Sequence, residues 1–271
     1  MIVRKTLLSL SVAAALATPA LASAQQAAAA PQSPHTFTGN LTLASEYLFR
    51  GIAQTQGDPA LQGGFDYAHA SGFYAGLWAS NISWIHHTVP GASASLEVDV
   101  YGGYKGTITG DLGFDVGVLT YNYPGTGKPT GAAMPETTEL YAGLTYKWLT
   151  AKYSVTTGSL FGWTKTGDPS AKTKGSGYLD LTGTFDLGNG LSAVAHLGHQ
   201  SVKGRSSASY SDWKIGLNKD LGFGTLGVAY SDTDAKANCA SVDDYCFVNP
   251  MSGSTYDAGK GRLLLTFSKT F

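Results

Sequence analysis

Alternation of apolar with polar or small residues recurs in twelve segments between Thr36 and Phe271, and no other feature narrows the fold as far. A period of two puts successive side chains on opposite faces of a strand. The first segment, Thr36 to Phe49, sets Phe37, Leu41, Leu43, Tyr47 and Phe49 against Thr38, Asn40, Thr42, Glu46 and, just beyond it, Arg50. Ala60 to His69 sets Leu61, Phe65 and Tyr67 against Gln62, Gly64 and Asp66; Gly72 to Asn81 sets Phe73, Ala75, Leu77 and Ala79 against Tyr74, Gly76, Trp78 and Ser80. In Ala94 to Gly106, Leu96, Val98, Val100 and Tyr104 oppose Glu97, Asp99, Tyr101 and Lys105. Eight more segments follow, marked by Leu112 to Val118, Leu140 to Tyr146, Ala151 to Phe161, Leu179 to Leu187, Leu191 to Leu197, Trp213 to Leu217, Leu226 to Tyr230 and Leu263 to Phe271.

The connections alternate in length. Short turns are expected at Ala70-Ser71, Thr107 to Gly110, Leu149-Thr150, Gly188 to Gly190 and Asp220 to Phe223, and longer polar segments at 51–59, 82–93, 124–135, 162–175, 203–208 and 232–258. A bacterial transmembrane barrel has short periplasmic turns, long external loops and an even strand number that returns both termini to the periplasm. A Greek-key sandwich shares the short strands but does not require every second connection to be long. The expected fold is therefore all-β: a transmembrane antiparallel up-and-down barrel of about twelve strands, occupying residues 36–271. Its last strand, Gly261 to Phe271, ends on an aromatic and is expected to pair with the first near Phe37 and close the ring. Lys269 falls on the lipid side of that strand, where a rim position lets its ammonium snorkel to headgroups.

The start of the chain suits export. Arg4 and Lys5 precede an apolar run from Leu7 to Ala17, then Pro19 and the small triplet Ala22-Ser23-Ala24, which predicts a cleaved signal peptide over residues 1–24. Residues 25–35 are read as a flexible lead-in. No later segment approaches the roughly 18 uninterrupted apolar residues a membrane helix needs, so a membrane location implies a barrel. The alternative is a soluble periplasmic β-protein. Charged residues make up 14% of the chain against 35 Gly, 15 Tyr, 11 Phe and 5 Trp, too little charge to cover a soluble surface easily. Mean hydropathy is nonetheless −0.04, as when lipid-facing and lumen-facing residues alternate. Removing Arg4 and Lys5 takes 18 basic residues to 16 against 19 acidic, a charge of −3 that gives no support to nucleic-acid binding.

Six segments carry a family resemblance: Ser45-Glu46-Tyr47-Leu48-Phe49-Arg50-Gly51-Ile52, Pro59 to Tyr67, Ser71 to Asn81, Leu96 to Tyr104, Asp115 to Gly125 and Glu139-Leu140-Tyr141. Together they make the chain resemble the TorF family of porins of Gram-negative bacteria, in order along essentially the whole mature sequence and most closely before about residue 145. The resemblance implies an outer-membrane location and a channel; it supplies no substrate. Cys239 and Cys246 are a departure from the family pattern.

A twelve-strand barrel with strands about 4.8 Å apart has a backbone radius of roughly 13 Å and a bore of several ångströms once side chains fill it. The expected lumen face carries Glu46, Asp66, Glu97, Asp99, Asp115, Glu139, Asp180, Asp186 and Asp212 against Arg50, Lys105, Lys147, Lys152, Lys214 and Arg262, with Trp78 also inward. Facing lipid, a basic residue would cost about 2–4 kcal/mol at the midplane, so this periodic placement points to water or ion pairs inside. The acidic excess suggests a weak cation preference. Those charges could equally pair into a plug, and inward Gly64, Gly76, Gly103, Gly117 and Gly143 could mark either open space or sheet curvature. Arg50 could bind anions at a constriction or pair with Glu46 or a neighbouring strand's carboxylate.

Enzymatic readings are thin. His86-His87 lack a third ligand at metal spacing, His196 and His199 fall on opposite faces of one strand, and no Gly-x-Ser-x-Gly occurs; a triad assembled across strands stays open. No catalytic residue, metal or cofactor is expected. Cys239 and Cys246, in the longest external loop of an exported chain, are expected to form a disulfide. The expected function is a porin passing small hydrophilic solutes by diffusion through a narrow, mildly acidic lumen. The alternative is a closed structural or adhesive barrel acting through its external loops. Expected partners are outer-membrane lipids, the solutes, and the barrel-assembly machinery through the C-terminal strand.

Overall fold

A computed structural model describes residues 33–89, 91–127, 133–241, 243–249 and 252–271; the expected signal peptide and residues 25–32 lie outside the described residues. Twelve strands form a closed ring: β1 (His35–Ala44), β2 (Ala60–His69), β3 (Phe73–Asn81), β4 (Leu96–Thr109), β5 (Leu112–Asn122), β6 (Thr137–Tyr146), β7 (Leu149–Thr156), β8 (Gly177–Gly188), β9 (Leu191–Ser201), β10 (Tyr210–Asp220), β11 (Thr225–Thr233) and β12 (Arg262–Thr270). Every pairing is antiparallel between sequence neighbours, and β12 returns to β1 with Leu41 opposite Lys269 and Leu43 opposite Phe267. Beyond the last paired residues, the Phe271 N–H donates to the Gly39 carbonyl at 2.8 Å and the Gly39 N–H donates back at 3.2 Å. Closure leaves no sheet edge, which satisfies the backbone groups that hydrocarbon cannot.

The alternation reads out as two faces. Phe37 and Phe65 are 75% and 74% exposed on the outside, with Leu61, Leu77, Val100, Leu140, Leu197, Ile215, Leu263 and Leu265 exposed above them. An apolar surface running around a whole barrel is far larger than a water-soluble monomer shows, and it matches the lipid-facing band of a membrane barrel. At the short-turn end this band is edged by aromatic pairs, Phe37 with Tyr67, Phe73 with Tyr104, Trp148 with Phe185 and Phe223 with Phe267, as at a membrane–water interface.

Several boundaries depart from the sequence expectation. The β6–β7 turn is Lys147-Trp148 rather than Leu149-Thr150: Tyr146 pairs with Leu149, and Lys147 takes φ 53°. Lys147 is consequently exposed at the rim and not in the lumen, and Asp186 is exposed too, accepting the Gly188 N–H at 2.8 Å beside the next turn. The largest departure is the first strand, which leaves the wall at Ala44 instead of running to Phe49. Its partners explain why: β2 starts opposite Ala44 at Ala60, and β12 pairs no further than Ala44 opposite Thr266. With no partner strand beyond that point, the chain turns inward, and Tyr47 and Phe49 bury inside the barrel rather than facing lipid. Phe161, expected on the seventh strand, likewise lies past the end of β7 at Thr156 and packs on Phe49 in the interior.

Candidate channel lining

The segment 45–59 folds into the barrel as a finger. Leu48 pairs with Ala53 and Phe49 with Ile52, around a two-residue turn in which Arg50 and Gly51 take φ 49° and 77°. Positive φ at both central positions is the tight hairpin geometry that matches strand twist, and it is costly for a residue with a side chain. Gly51 is required twice over, because a Cβ there would also run into Thr233 and Asp212 on the wall.

The finger ends in a charge clamp. Arg50 donates to both oxygens of Glu139 on β6, at 3.0 and 2.7 Å, and to Gln200 on β9 at 2.8 Å, while its guanidinium carbon lies 4.2 Å from the centroid of the Tyr178 ring on β8. The side chains of Arg50 and Glu139 are 7% and 2% exposed. Glu139 offsets the burial cost and holds the Arg50 guanidinium above its ordinary range. A planar guanidinium suits this bidentate, stacked setting as an ammonium would not. Arg50 therefore spans the bore to β6, β8 and β9 and does not pair with Glu46. Glu46 instead stitches the finger to the mouth: it accepts from the Gly57 N–H and the Tyr256 hydroxyl, both at 2.8 Å, and Arg262 Nε lies 3.4 Å away. Neither Glu46 nor Arg50 sits on a strand, contrary to the sequence reading.

The other candidates sit on the inward face of the wall, and several of the carboxylates accept hydrogen bonds from phenols. Tyr101 donates to Asp66, Tyr74 to Asp115, and Tyr47 to Glu97 at 2.7 Å; Trp78 packs edge-on against Tyr47. Asp99 is 6% exposed, and its Oδ1 accepts no hydrogen bond. On the far side His196 bridges two carboxylates, Asp212 at 3.0 Å and Asp180 at 3.4 Å; Tyr178 donates to Asp212 at 2.9 Å. Thr182 lies 2.9 Å from His196 but donates its proton to Asp180 at 2.7 Å, so the hydroxyl is not aligned as a nucleophile with His196 as base. Lys152 and Lys214 lie on the same stretch of wall, half-buried.

Inward glycines serve as seats for these tyrosines. Gly76 is directly opposite Tyr101, Gly103 opposite Tyr74 and Gly117 opposite Tyr141, and a Cβ at any of the three would overlap the facing phenol. Gly198 makes the same room for Tyr178. The rings thus lie flat along the wall, each hydroxyl reaching a neighbour, and the bore is kept clear of them. Gly64 instead accommodates the backbone at Leu77 and Trp78, and Gly143 faces the Lys152 stem.

Sequence reasoning missed what fills the mouth. The segments between the strands at this end contribute Ile52, Trp84, Ile85, Leu160, Phe161, Trp163, Tyr245 and Phe247 to one apolar cluster with Tyr121, Tyr123 and Tyr210 of the wall. Short apolar runs inside the loops, Ser83-Trp84-Ile85 and Leu160-Phe161-Gly162-Trp163, are the signal that could have found it. The adjacent histidines belong to this packing: His87, in the single helical turn α1 (Trp84–Thr88), contacts Gln56 of the finger and Asn249 of the last loop, and burial next to His86 holds its imidazole below the ordinary range. His199 points outward to Ser211. No group of three metal-binding side chains occurs among the described residues.

Cys239 and Cys246 are joined as a disulfide, next to Tyr245, whose hydroxyl donates to the Ala208 carbonyl at 2.6 Å. Closing so short a loop removes about 2–3 kcal/mol of unfolded-state entropy in the chain-entropy model. Because the bridge lies wholly within the loop, Cys239→Ser/Cys246→Ser is expected to leave the heat-dependent gel mobility of the barrel unchanged and to speed protease cleavage between residues 237 and 249. A variant that no longer folds would contradict this separation.

Three comparisons bear on the chain. Residues 28–271 match a family described as "Bacterial protein of unknown function (Gcw_chp)". No protein of curated function matches the sequence. Among solved structures, the KdgM porin is similar at 8% identity and a TM-score of 0.50, covering 86% of this chain and 99% of that one. The NanC porin follows at 10% identity and 0.46, covering 87% and 98%, and the P. putida toluene transporter TodX at 12% and 0.45, covering 89% and 91%. At 8% identity the likeness to the KdgM porin is one of fold alone, a closed antiparallel β-barrel.

Proposed function

The chain belongs to the Gcw_chp family, and from its closed barrel, apolar exterior and lumen geometry we propose that it is an outer-membrane porin of the TorF type, exported through a cleaved signal peptide. It passes small hydrophilic solutes by diffusion through a narrow lumen that is acidic by residue count. The long-loop end, with its finger and disulfide, faces outside; the short-turn end faces the periplasm. One observation carries this reading: a barrel with an apolar exterior devotes its interior to charged and phenolic side chains laid flat on glycine seats, where a structural barrel would gain more from apolar packing. The clamp of Arg50 on Glu139 crosses the lumen and restricts its resting conductance.

A specific feature favours a second reading, a closed barrel acting through its loops. The apolar cluster at the mouth is packed like a small core, with Ile85 and Ala53 fully buried. The two are separated by reconstituting purified full-length protein in planar bilayers. A porin is expected to give discrete conductance steps with modest preference for potassium over chloride. Correctly folded, inserted protein that never conducts would sink the porin reading and leave the closed barrel.

A further inference from the structure

The long-loop end of this barrel carries its charge unevenly. The β7–β8 and β9–β10 connections, residues 157–176 and 202–209, hold five of the chain's 18 basic residues, Lys165, Lys172, Lys174, Lys203 and Arg205, and only Asp168 of its 19 acidic ones. The connection 234–261 leans the other way, with Asp234, Asp243, Asp244 and Asp257 against Lys236 and Lys260.

Tertiary contacts join the two basic segments into one surface. Thr164–Lys165 pairs with Asp168–Lys172 as a short hairpin. This hairpin and its flank are stitched to the neighbouring loop: the Thr166 N–H donates to the Gly204 carbonyl and the Lys203 N–H to the Ser176 hydroxyl, both at 2.9 Å. A Cβ on Gly204 would run into the Lys165 stem, and one on Gly175, next in sequence to Lys174, would stand 3.7 Å from the Lys203 ammonium.

The carboxylates in reach are already engaged. Asp244 accepts from Arg205 at 2.6 Å while that guanidinium lies 4.4 Å from the centroid of the Trp163 ring. Asp168 is opposite Lys165 in the hairpin and offsets part of its charge; it accepts from the Ser170 hydroxyl and N–H at 2.7 and 2.9 Å. Lys172, Lys174 and Lys203 are exposed, and among the described residues none of the three has a carboxylate oxygen within 4.0 Å of its Nζ or donates a hydrogen bond. Like charges gathered this way repel one another, a cost that an anion laid across them removes.

Position and chemistry indicate which anion. The surface tops four consecutive strands, β7 to β10, and so stands above one arc of the wall. Directly below it the outward side chains turn from apolar to polar, with Leu197 and Trp213 followed by exposed His199, Ser201 and Ser211, as at the level of lipid headgroups. The lumen beside it is acidic by residue count, so these lysines do not serve to feed anions inward. An ammonium is a compact point charge with three donors on a flexible stem, suited to phosphate oxygens, and basic clusters at a membrane surface collect anionic headgroups. Resting on the outer-membrane placement proposed above, with the long-loop end outside, we propose that Lys165, Lys172, Lys174 and Lys203 form a docking surface for the phosphate groups of lipopolysaccharide in the outer leaflet.

The test is titration of fluorescently labelled rough lipopolysaccharide onto the full-length protein in neutral detergent, read by anisotropy. Wild-type protein is expected to bind several-fold more tightly than Lys165→Gln/Lys172→Gln/Lys174→Gln/Lys203→Gln, and enzymatically dephosphorylated lipopolysaccharide should bind wild type no better than the intact form binds this variant. Lys147→Gln/Lys219→Gln, at the short-turn end, should bind as wild type does. If the quadruple variant fails the heat-dependent mobility test for folding, Lys172→Gln/Lys174→Gln reports the same direction of change. Equal binding by wild type and the lysine variants, or equal binding of the dephosphorylated form, would overturn the assignment; tighter binding of dextran sulfate through the same lysines would overturn it in favour of a soluble polyanion. Conductance steps with binding that ignores the lysines would strike this surface and leave the porin standing, whereas lysine-dependent binding by a barrel that never conducts would support the surface and remove the porin.

Discussion

Arg50→Ala is expected to raise single-channel conductance several-fold and to make the finger 45–59 exchange its amide hydrogens readily while the wall strands stay protected. The clamp joins three sides of the barrel through one side chain, contacting Glu139, Gln200 and Tyr178 at once. Removing it leaves the Glu139 carboxylate, 2% exposed, without its counter-ion, a change that typically costs about 3–5 kcal/mol. The wall is held by its own backbone ladder, so the system relaxes by withdrawing the finger and letting water reach Glu139. Arg50→Lys should behave much like the alanine variant, because an ammonium cannot bond both carboxylate oxygens and Gln200 while stacking on Tyr178. Glu139→Gln should be milder, since an amide oxygen still accepts from the guanidinium. Bilayer recordings and hydrogen exchange read the two effects independently. Unchanged conductance together with unchanged exchange at 45–59 would show that the finger is held by the apolar mouth cluster alone.

Gly76→Ala should cost about 1–3 kcal/mol, the usual penalty for inserting a methyl into a packed site. All three of the nearest atoms to a Cβ at this position belong to the Tyr101 ring, so the ring must lift off the wall and give up its bond to Asp66. A lifted ring enters the bore, so conductance should fall as stability does. The control is the double variant Gly76→Ala/Tyr101→Ala. If the seat is the cause, its folded form should melt, by heat-dependent gel mobility, no lower than that of Tyr101→Ala alone, because the methyl then has nothing to strike. A full additive loss in the double variant would mean that Gly76 is needed for strand curvature instead. Gly103 and Gly117 are poorer choices for this cycle, since a Cβ there also meets a backbone carbonyl.

Much of the wall was legible in the sequence. Ala60 to His69 forms a strand with the expected bounds, and Leu61 and Phe65 face out while Asp66 and Gln62 face in. The reason is local: a two-residue period states which side chains share a face, and burial in lipid or water then sorts the faces. The alternation of short and long connections supplied the topology, and the aromatic end of the last strand indicated where the ring closes.

Legibility stopped where a residue's fate depends on residues distant in sequence. Tyr47 and Phe49 keep the period of β1, and nothing in their own segment says that the neighbouring strands end too soon to pair with them. Inward glycines looked like open space or curvature because a glycine does not announce which ring will lie across it. The loops looked polar because their apolar residues come singly or in short runs in five separate segments and cohere only once the ring brings the segments to one mouth.

The sequence alone thus determined the barrel, its strand count, the two faces of each strand and the list of charges available inside, since all of these follow from periodicity and from the cost of placing polar groups in hydrocarbon. Only the tertiary structure decided which charges meet. Arg50 reaches Glu139, 89 residues away, across the bore, and His196 bridges Asp180 and Asp212, because closing a ring sets distances between strands that no local pattern encodes.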